Sequence, residues 1–131
     1  MSERPLSPHL SVYRMYRYSL LTSITNRASG VVLSAGLILL VYWLVAIASG
    51  AAAYHAARTV LSLGALKAIY LLLLASFSYH LIAGIRHLVW DTGHGLERSQ
   101  SQRSAWLVIV ASILLLIGLA WWAFHSGGRA S

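Results

Sequence analysis

Three long apolar runs, separated by short polar stretches, dominate the hydrophobic pattern of this chain. They extend from about residue 29 to 48, from 66 to 90 and from 105 to 124, and none of them contains proline. A helix needs ~20 mainly apolar residues to cross the hydrocarbon core of a membrane. Because backbone polar groups in lipid must be satisfied within the segment, the pattern predicts three transmembrane helices.

The segments outside these runs are short and polar. Residues 1–28 form a mixed polar segment, and the two connections cover residues 49–65 and 91–104. Gly93 and Gly95 follow the second run, and glycine tolerates the left-handed conformation found at helix ends, so we expect them to end that helix. The predicted architecture is therefore an all-α integral membrane bundle of three helices forming one membrane domain.

The composition of the chain favours lipid as its solvent. Hydrophobic residues make up 58% of the 131 residues and charged residues only 10%, whereas a soluble domain has about 25% charged residues. The net charge of +7 does not indicate a nucleic-acid partner, because the basic residues sit at the ends of the apolar runs. The absence of cysteine excludes thiolate-held iron–sulfur clusters, zinc knuckles and disulfides within this chain.

The distribution of basic residues predicts the orientation of the helices, since lysine and arginine accumulate on the cytoplasmic side. Seven of the ten basic residues belong to the side of the N-terminus and the second connection: Arg4, Arg14, Arg17, Arg27, Arg86, Arg98 and Arg103. We therefore expect the N-terminus in the cytoplasm and the protein in a bacterial inner membrane, in preference to the mitochondrial inner membrane.

The second run carries a polar stripe. Ser76, His80, Gly84, His87 and Asp91 are spaced by three or four residues, so they share one face of a helix. His80 lies ten residues from the inner end at Trp90, roughly 15 Å deep at ~1.5 Å per residue. An ionisable residue at that depth usually marks function, and a neutral imidazole is a good ligand for haem iron.

The other residues of the stripe fit the same hypothesis, although each has a simpler interpretation. Gly84 would let a flat macrocycle approach the backbone, and His87 and Arg86 would meet haem propionates. Alternatively, His80 only hydrogen-bonds across the bundle, Gly84 is ordinary packing, and Arg86 and His87 snorkel to the interface. No other span of this chain carries a histidine at the depth of His80, so bis-histidine ligation would require a second polypeptide.

The entry to the first helix offers a second candidate site. Ser23 and Arg27 are one turn apart, and a hydroxyl and a guanidinium near the interface could bind a quinone carbonyl. Alternatively, Ser23 is a helix cap and Arg27 a positive-inside anchor. Asp91 could relay protons to a reduced quinone or pair with a nearby arginine.

Three stretches of the sequence resemble the cytochrome b subunit of succinate dehydrogenase, the larger membrane anchor of complex II. They are RPLSPHLSVYR (Arg4 to Arg14), SITNRASG (Ser23 to Gly30) and YHLIAGIRHLVWD (Tyr79 to Asp91). Many members of that family have a histidine immediately before the site arginine, and this chain has Asn26 there. The resemblance therefore assigns no propionate or proton-relay role to Asn26.

The resemblance implies a set of functional residues and partners. His80 would be an axial ligand of haem b, Arg27, Gly84 and His87 would surround the haem, and Ser23, Arg27 and Asp91 would belong to the ubiquinone site. The second haem ligand would come from a smaller three-helix anchor subunit, and a flavoprotein subunit and an iron–sulfur subunit would dock on the inner side. This chain would then position and tune these groups without performing covalent chemistry itself.

Three other functions remain open from the sequence. A fumarate reductase anchor would run the same chemistry in reverse, and sequence does not separate the two directions. A haem-free packing or assembly subunit would use His80 only for a hydrogen bond. A small transporter is disfavoured because the chain shows no inverted repeat and no pair of broken helices.

Overall fold

The computed structural model describes residues 17–127, and within that range the chain is helical from end to end apart from short connections. The helices are α1 (Arg17–Ala48), α2 (Ala51–Leu61), α3 (Gly64–Asp91) and α4 (Arg98–Gly127), and the described range contains no β-strand. The motif from Arg4 to Arg14 and most of the N-terminal segment lie outside the described residues. An all-α architecture is confirmed.

Three of the helices are long and apolar enough to cross a membrane. The candidate spans are Leu20–Ala48, Gly64–Asp91 and Arg98–Ala123, judged by length and composition. α1 begins well before residue 29, so the polar entry with Ser23 and Arg27 is already helical. Ser23 lies in the second turn of α1, and the interpretation of Ser23 as a helix cap is therefore wrong.

The connection between the first two spans contains a helix that the sequence pattern did not indicate. α2 has 11 residues and packs against α1, with Ala57 almost completely buried. Gly50, with φ of 98°, permits the turn between α1 and α2, since side-chain-bearing residues rarely adopt that conformation. Small residues in residues 49–65 therefore form a short helix at the end of the bundle opposite the start of α1. We call this end the outer end, and the end with the start of α1 and the α3–α4 connection the inner end, after the predicted orientation.

The connection between α3 and α4 behaves as the sequence predicted. α3 ends at Asp91 with Thr92 as its cap residue, and Gly93 and Gly95 follow with φ of 81° and 77°. Both glycines occupy the left-handed region expected for a helix end. Trp90 closes this turn by donating its indole N–H to the Gly95 carbonyl at 3.1 Å.

α3 is the central element of the bundle, packing against both α4 and α1. The α1–α3 crossing is close at Gly36, where an added Cβ would collide with the side chain of Leu73. Few of the described side chains are buried within this single chain, and those that are buried are alanines and serines, apart from Val108 and Arg86. Small residues at a helix interface allow close backbone approach, as is usual for helices that associate in lipid.

Candidate functional site

His80 projects from α3 onto the inner third of α1. Its Nδ1 lies 3.1 Å from the Ser29 hydroxyl oxygen and 3.2 Å from the Asn26 carbonyl oxygen. The Ser29 hydroxyl in turn donates to the same Asn26 carbonyl at 2.8 Å. Both of these contacts of the imidazole with α1 therefore involve Nδ1.

Gly30 allows the imidazole to lie this close to α1. A Cβ at Gly30 would be only 3.2 Å from Cε1 of His80, closer than side-chain carbons normally approach. We call Asn26, Ser29 and Gly30 the α1 seat of His80. The seat lies within SITNRASG, so that stretch supports the imidazole as well as carrying Ser23 and Arg27.

A long apolar groove runs between α1 and α3 beside His80. Its volume is about 980 Å³, and it is bounded by Arg27, Gly30, Val31, Leu33, Ser34, Gly36, Leu37, Leu40, Tyr70, Leu73, Leu74, Phe77 and His80. The His80 imidazole and the Arg27 guanidinium lie near its inner end, and the rest of its lining is apolar apart from Ser34 and Tyr70. Such a groove suits a largely hydrophobic ligand that has one polar end.

Gly84 follows His80 by one turn on the same face of α3. A Cβ added at Gly84 would meet nothing within 4 Å, so this chain does not use the glycine for its own helix packing. Within the described residues, no contact at Gly84 supports its interpretation as an ordinary packing residue. The backbone at Gly84 is instead open to a group supplied from outside the chain.

His87 and Asp91 extend the stripe to the inner end of α3, where both are exposed. The His87 ring meets the Trp90 indole edge to face, with centroids 5.4 Å apart. Asp91 is the last residue of the helix. Ser23 is half-buried and Arg27 exposed on α1. Arg27 and His80 therefore border one groove, whereas Ser23 and Asp91 are not among the residues that line it.

The structure gives Arg86 a role that the sequence did not predict. Its side chain is only 8% exposed and points into the bundle, so it does not snorkel to the interface. Nε donates to the Ser104 hydroxyl at 2.9 Å, and one terminal nitrogen donates to the Ser101 carbonyl at 2.9 Å. The other terminal nitrogen reaches the Thr22 hydroxyl at 3.5 Å. Arg86 thus joins α3 to both α4 and α1.

The described residues contain no cluster of potential metal ligands from this chain. Within residues 17–127, no group of three or more histidine, aspartate or glutamate side chains is close enough to form such a site. His55, His87 and His94 are exposed. His80 borders the groove with one imidazole, and ligation by a histidine of another polypeptide stays a prediction.

Comparison with known proteins identifies the family. The sequence profile described as succinate dehydrogenase/fumarate reductase transmembrane subunit matches residues 1–119. The succinate dehydrogenase cytochrome b556 subunit of Paracoccus denitrificans is 40% identical over 119 residues, covering 87% of each chain. The b556 subunit of Rickettsia prowazekii (strain Madrid E) is 38% identical, covering 92% of each chain.

A mitochondrial relative is similar over the same region. The human succinate dehydrogenase cytochrome b560 subunit is 35% identical over 121 residues, which cover 91% of this chain and 71% of the human protein. The resemblance inferred from three short stretches thus extends over nearly the whole sequence, including the three apolar spans. The chain belongs to the succinate dehydrogenase/fumarate reductase transmembrane subunit family and is a membrane subunit of the succinate dehydrogenase cytochrome b type.

Proposed function

We propose that this chain anchors succinate dehydrogenase in the membrane, supplies one of two axial ligands to a shared haem b, and forms part of the ubiquinone-reduction site. The observation that carries the proposal is the position of His80. Its imidazole borders the α1–α3 groove while Nδ1 faces two oxygens of α1. Nε2 is the ring nitrogen left to bind iron.

The described residues fit a haem in shape as well as in chemistry. Gly84 leaves open space one turn from His80, and the adjoining groove is apolar over most of its length. A porphyrin needs both a flat approach to the helix backbone and an apolar enclosure, with its propionates near polar groups at the membrane surface. Arg27 and His87 are the proposed propionate partners at the inner end.

A b-type haem supplies one-electron transfer when bound, and the chain's contribution is to hold and tune it. His80 would bind the iron, the α1 seat would fix its ring, and Gly84 would admit the macrocycle. The second axial ligand is proposed to be a histidine of a smaller membrane anchor subunit. Such shared ligation would make the haem part of the contact between the two anchors.

The ubiquinone site is proposed at the inner end of α1. Ser23 and Arg27 are one helical turn apart in α1, and the exposed Arg27 guanidinium could donate to a quinone carbonyl. Asp91 is exposed at the inner end of α3 and is proposed to relay protons to the reduced quinone. Electrons would arrive from an iron–sulfur subunit, which receives them from a flavoprotein subunit that oxidises succinate to fumarate.

The haem assignment is tested by a reduced-minus-oxidised absorption spectrum of the complex purified in mild detergent. His80→Ala should remove the b-type α-band while the flavoprotein and iron–sulfur subunits still copurify. Survival of that band in His80→Ala would remove the haem-ligand assignment. Absence of the band from the wild-type complex would favour a haem-free anchor instead.

The quinone assignment has a separate test. Arg27→Ala should abolish succinate–quinone reductase activity while leaving succinate oxidation by an artificial dye intact, because the dye accepts electrons without the membrane site. Arg103→Ala is a matched control, since Arg103 is also an exposed arginine at the inner end and has no proposed role. Unchanged quinone reduction in Arg27→Ala would exclude the proposed site.

A further inference from the structure

We propose that Ser29 is the positioning residue for the iron-binding imidazole. Its hydroxyl would accept a hydrogen bond from the Nδ1–H group of His80 and hold the ring with Nε2 directed away from α1. This hydrogen bond would lower the reduction potential of the haem. This inference rests on the proposed haem ligation by His80. The inference goes beyond ligation because it states which ring nitrogen of His80 carries the proton, which residues of α1 cause this, and how the reduction potential of the haem responds.

Counting protons in the seat determines which ring nitrogen is protonated. The Asn26 carbonyl has no proton, so the contact of 2.8 Å requires the Ser29 hydroxyl to donate to it. The single hydroxyl proton is then used, and Ser29 can only accept from His80 across the 3.1 Å contact. The imidazole therefore carries its proton on Nδ1.

The second contact of the ring gives the same assignment independently. Nδ1 lies 3.2 Å from the Asn26 carbonyl oxygen, and a carbonyl oxygen can only accept. Two acceptors thus face Nδ1, and a neutral imidazole has one proton for its two nitrogens. Nε2 consequently keeps its lone pair, which is the requirement for a nitrogen that binds iron.

Burial indicates that Ser29 acts on His80 and not on solvent. Ser29 is 6% exposed, and the neighbouring Gly30 brings the ring within van der Waals reach of the α1 backbone. Ser49 provides the contrast, just beyond the far end of the same helix. Its hydroxyl also donates to a carbonyl one turn earlier, that of Val45, at 2.8 Å, but Ser49 is exposed and does not border the groove beside His80.

The hydrogen bond has a predictable electronic consequence. An acceptor at Nδ1 increases the electron density of the imidazole and makes Nε2 a more basic ligand. A more basic ligand stabilises ferric over ferrous iron, and hydrogen bonding around the ligands is one of the means by which a protein sets a haem potential. Removing the Ser29 hydroxyl leaves only the longer contact with Asn26, so the potential should rise.

The experiment is a redox titration of the α-band in the purified complex, with the low-spin ferric electron paramagnetic resonance spectrum recorded in parallel. Ser29→Ala should change the ferric-to-ferrous ratio at fixed applied potential by about threefold to tenfold towards ferrous, where tenfold equals ~59 mV for one electron. It should also alter the g values. Ser29→Thr, which keeps a hydroxyl, should restore both, and Ser49→Ala should match wild type.

The outcomes separate this inference from the haem assignment. A Ser29→Ala potential within the scatter of Ser49→Ala would overturn the role of Ser29 while leaving His80 as a ligand. Loss of haem from Ser29→Ala alone, with haem retained in Ser29→Thr and Ser49→Ala, would support positioning. Loss from all three variants would overturn it in favour of general damage to α1. An α-band that survives His80→Ala would instead refute the ligation.

Discussion

The Arg86 guanidinium lies over the face of the Trp90 indole, with Cζ 4.0 Å from the ring centroid. A guanidinium in this position gains a cation–π attraction, which is stronger where water is excluded. The same Trp90 ring also meets His87 and bonds to the turn at Gly95. Arg86 bonds to α4 and α1, and Trp90 contacts His87 of the polar stripe. The contact between Arg86 and Trp90 therefore joins the interhelical hydrogen bonds to the inner end of that stripe.

Replacing Arg86 should destabilise the anchor even where charge is kept. Arg86→Lys retains the charge, but an ammonium cannot reproduce the planar fork that serves Ser101 and Ser104 while stacking on Trp90. Hydrogen bonds to charged groups contribute about 1.5–3 kcal/mol, and we expect a loss of that order from Arg86→Lys. Thermal unfolding of the purified complex in detergent measures it.

Arg103→Lys is the matched control for Arg86→Lys. Arg103 belongs to the same inner end but is exposed, so its replacement should change the midpoint of unfolding little. Equal, small effects of the two substitutions would mean that the Arg86 hydrogen bonds contribute little to the assembled protein.

The α1–α3 crossing provides a second prediction. A Cβ at Gly36 would collide with Leu73, and overpacking typically costs about 1–3 kcal/mol, so Gly36→Ala should lower the yield of assembled complex and its unfolding midpoint. Adding Leu73→Ala should restore part of the loss, because it removes the colliding atoms. Gly118→Ala is the control, since a Cβ there meets nothing within 4 Å. If Gly36→Ala behaves like Gly118→Ala, the close crossing is not retained in the complex.

The apolar spans and the glycine turn were predictable because both depend on local chemistry. Residues 29–48, 66–90 and 105–124 all fall within long helices, since twenty apolar residues have few other options in lipid. Gly93 and Gly95 adopt the positive φ that their position after an apolar run indicated. The early start of α1 was not predictable from hydropathy, because its first turns are polar.

The side-chain contacts were less predictable, since they depend on which helices become neighbours. The spacing of His80 and Gly84 placed them on one face, but nothing in the sequence showed that His80 would meet Asn26 and Ser29, which are more than 50 residues earlier. One of the two interpretations of Arg86, snorkelling to the interface, rests on the usual reach of arginine to water, and the burial of its side chain shows that interpretation to be wrong. Ser101 and Ser104 on the next helix are polar residues that could bond to a buried arginine. Only the packing of α3 on α4, which the sequence does not show, brings them to Arg86.

The orientation of the bundle can be tested with single cysteines, because the natural sequence has none. Gln102→Cys would label the inner connection and Ala56→Cys the outer helix α2, and both positions are exposed. If the N-terminus faces the cytoplasm, a membrane-impermeant maleimide should modify Ala56→Cys in intact spheroplasts and Gln102→Cys only after permeabilisation. The opposite pattern would reverse the topology inferred from the arginine distribution.

Substitution of Gly84 separates two possible uses of this position, which are packing within the chain and space for the proposed haem. Apart from its chain neighbours and the backbone of its own helix, nothing in the described residues lies within 4 Å of a Cβ at this position, and leucine has a better helix propensity than glycine by up to ~1 kcal/mol. The isolated fold should therefore tolerate Gly84→Leu. A bulky side chain one turn from His80 would nevertheless occupy the space of the macrocycle, so we expect the haem-to-flavin ratio of the purified complex to fall severalfold.

Gly118→Leu controls for the effect of a large residue at an open glycine of the same bundle, and it should keep the wild-type haem-to-flavin ratio. Copurification of the flavoprotein and iron–sulfur subunits with Gly84→Leu would show that the anchor still assembles. The four-carbon side chain of leucine replaces a single hydrogen, so it would fill part of the space beside position 84 that the proposed porphyrin needs. A full haem complement with an unshifted α-band in Gly84→Leu would therefore place the haem away from this face of α3.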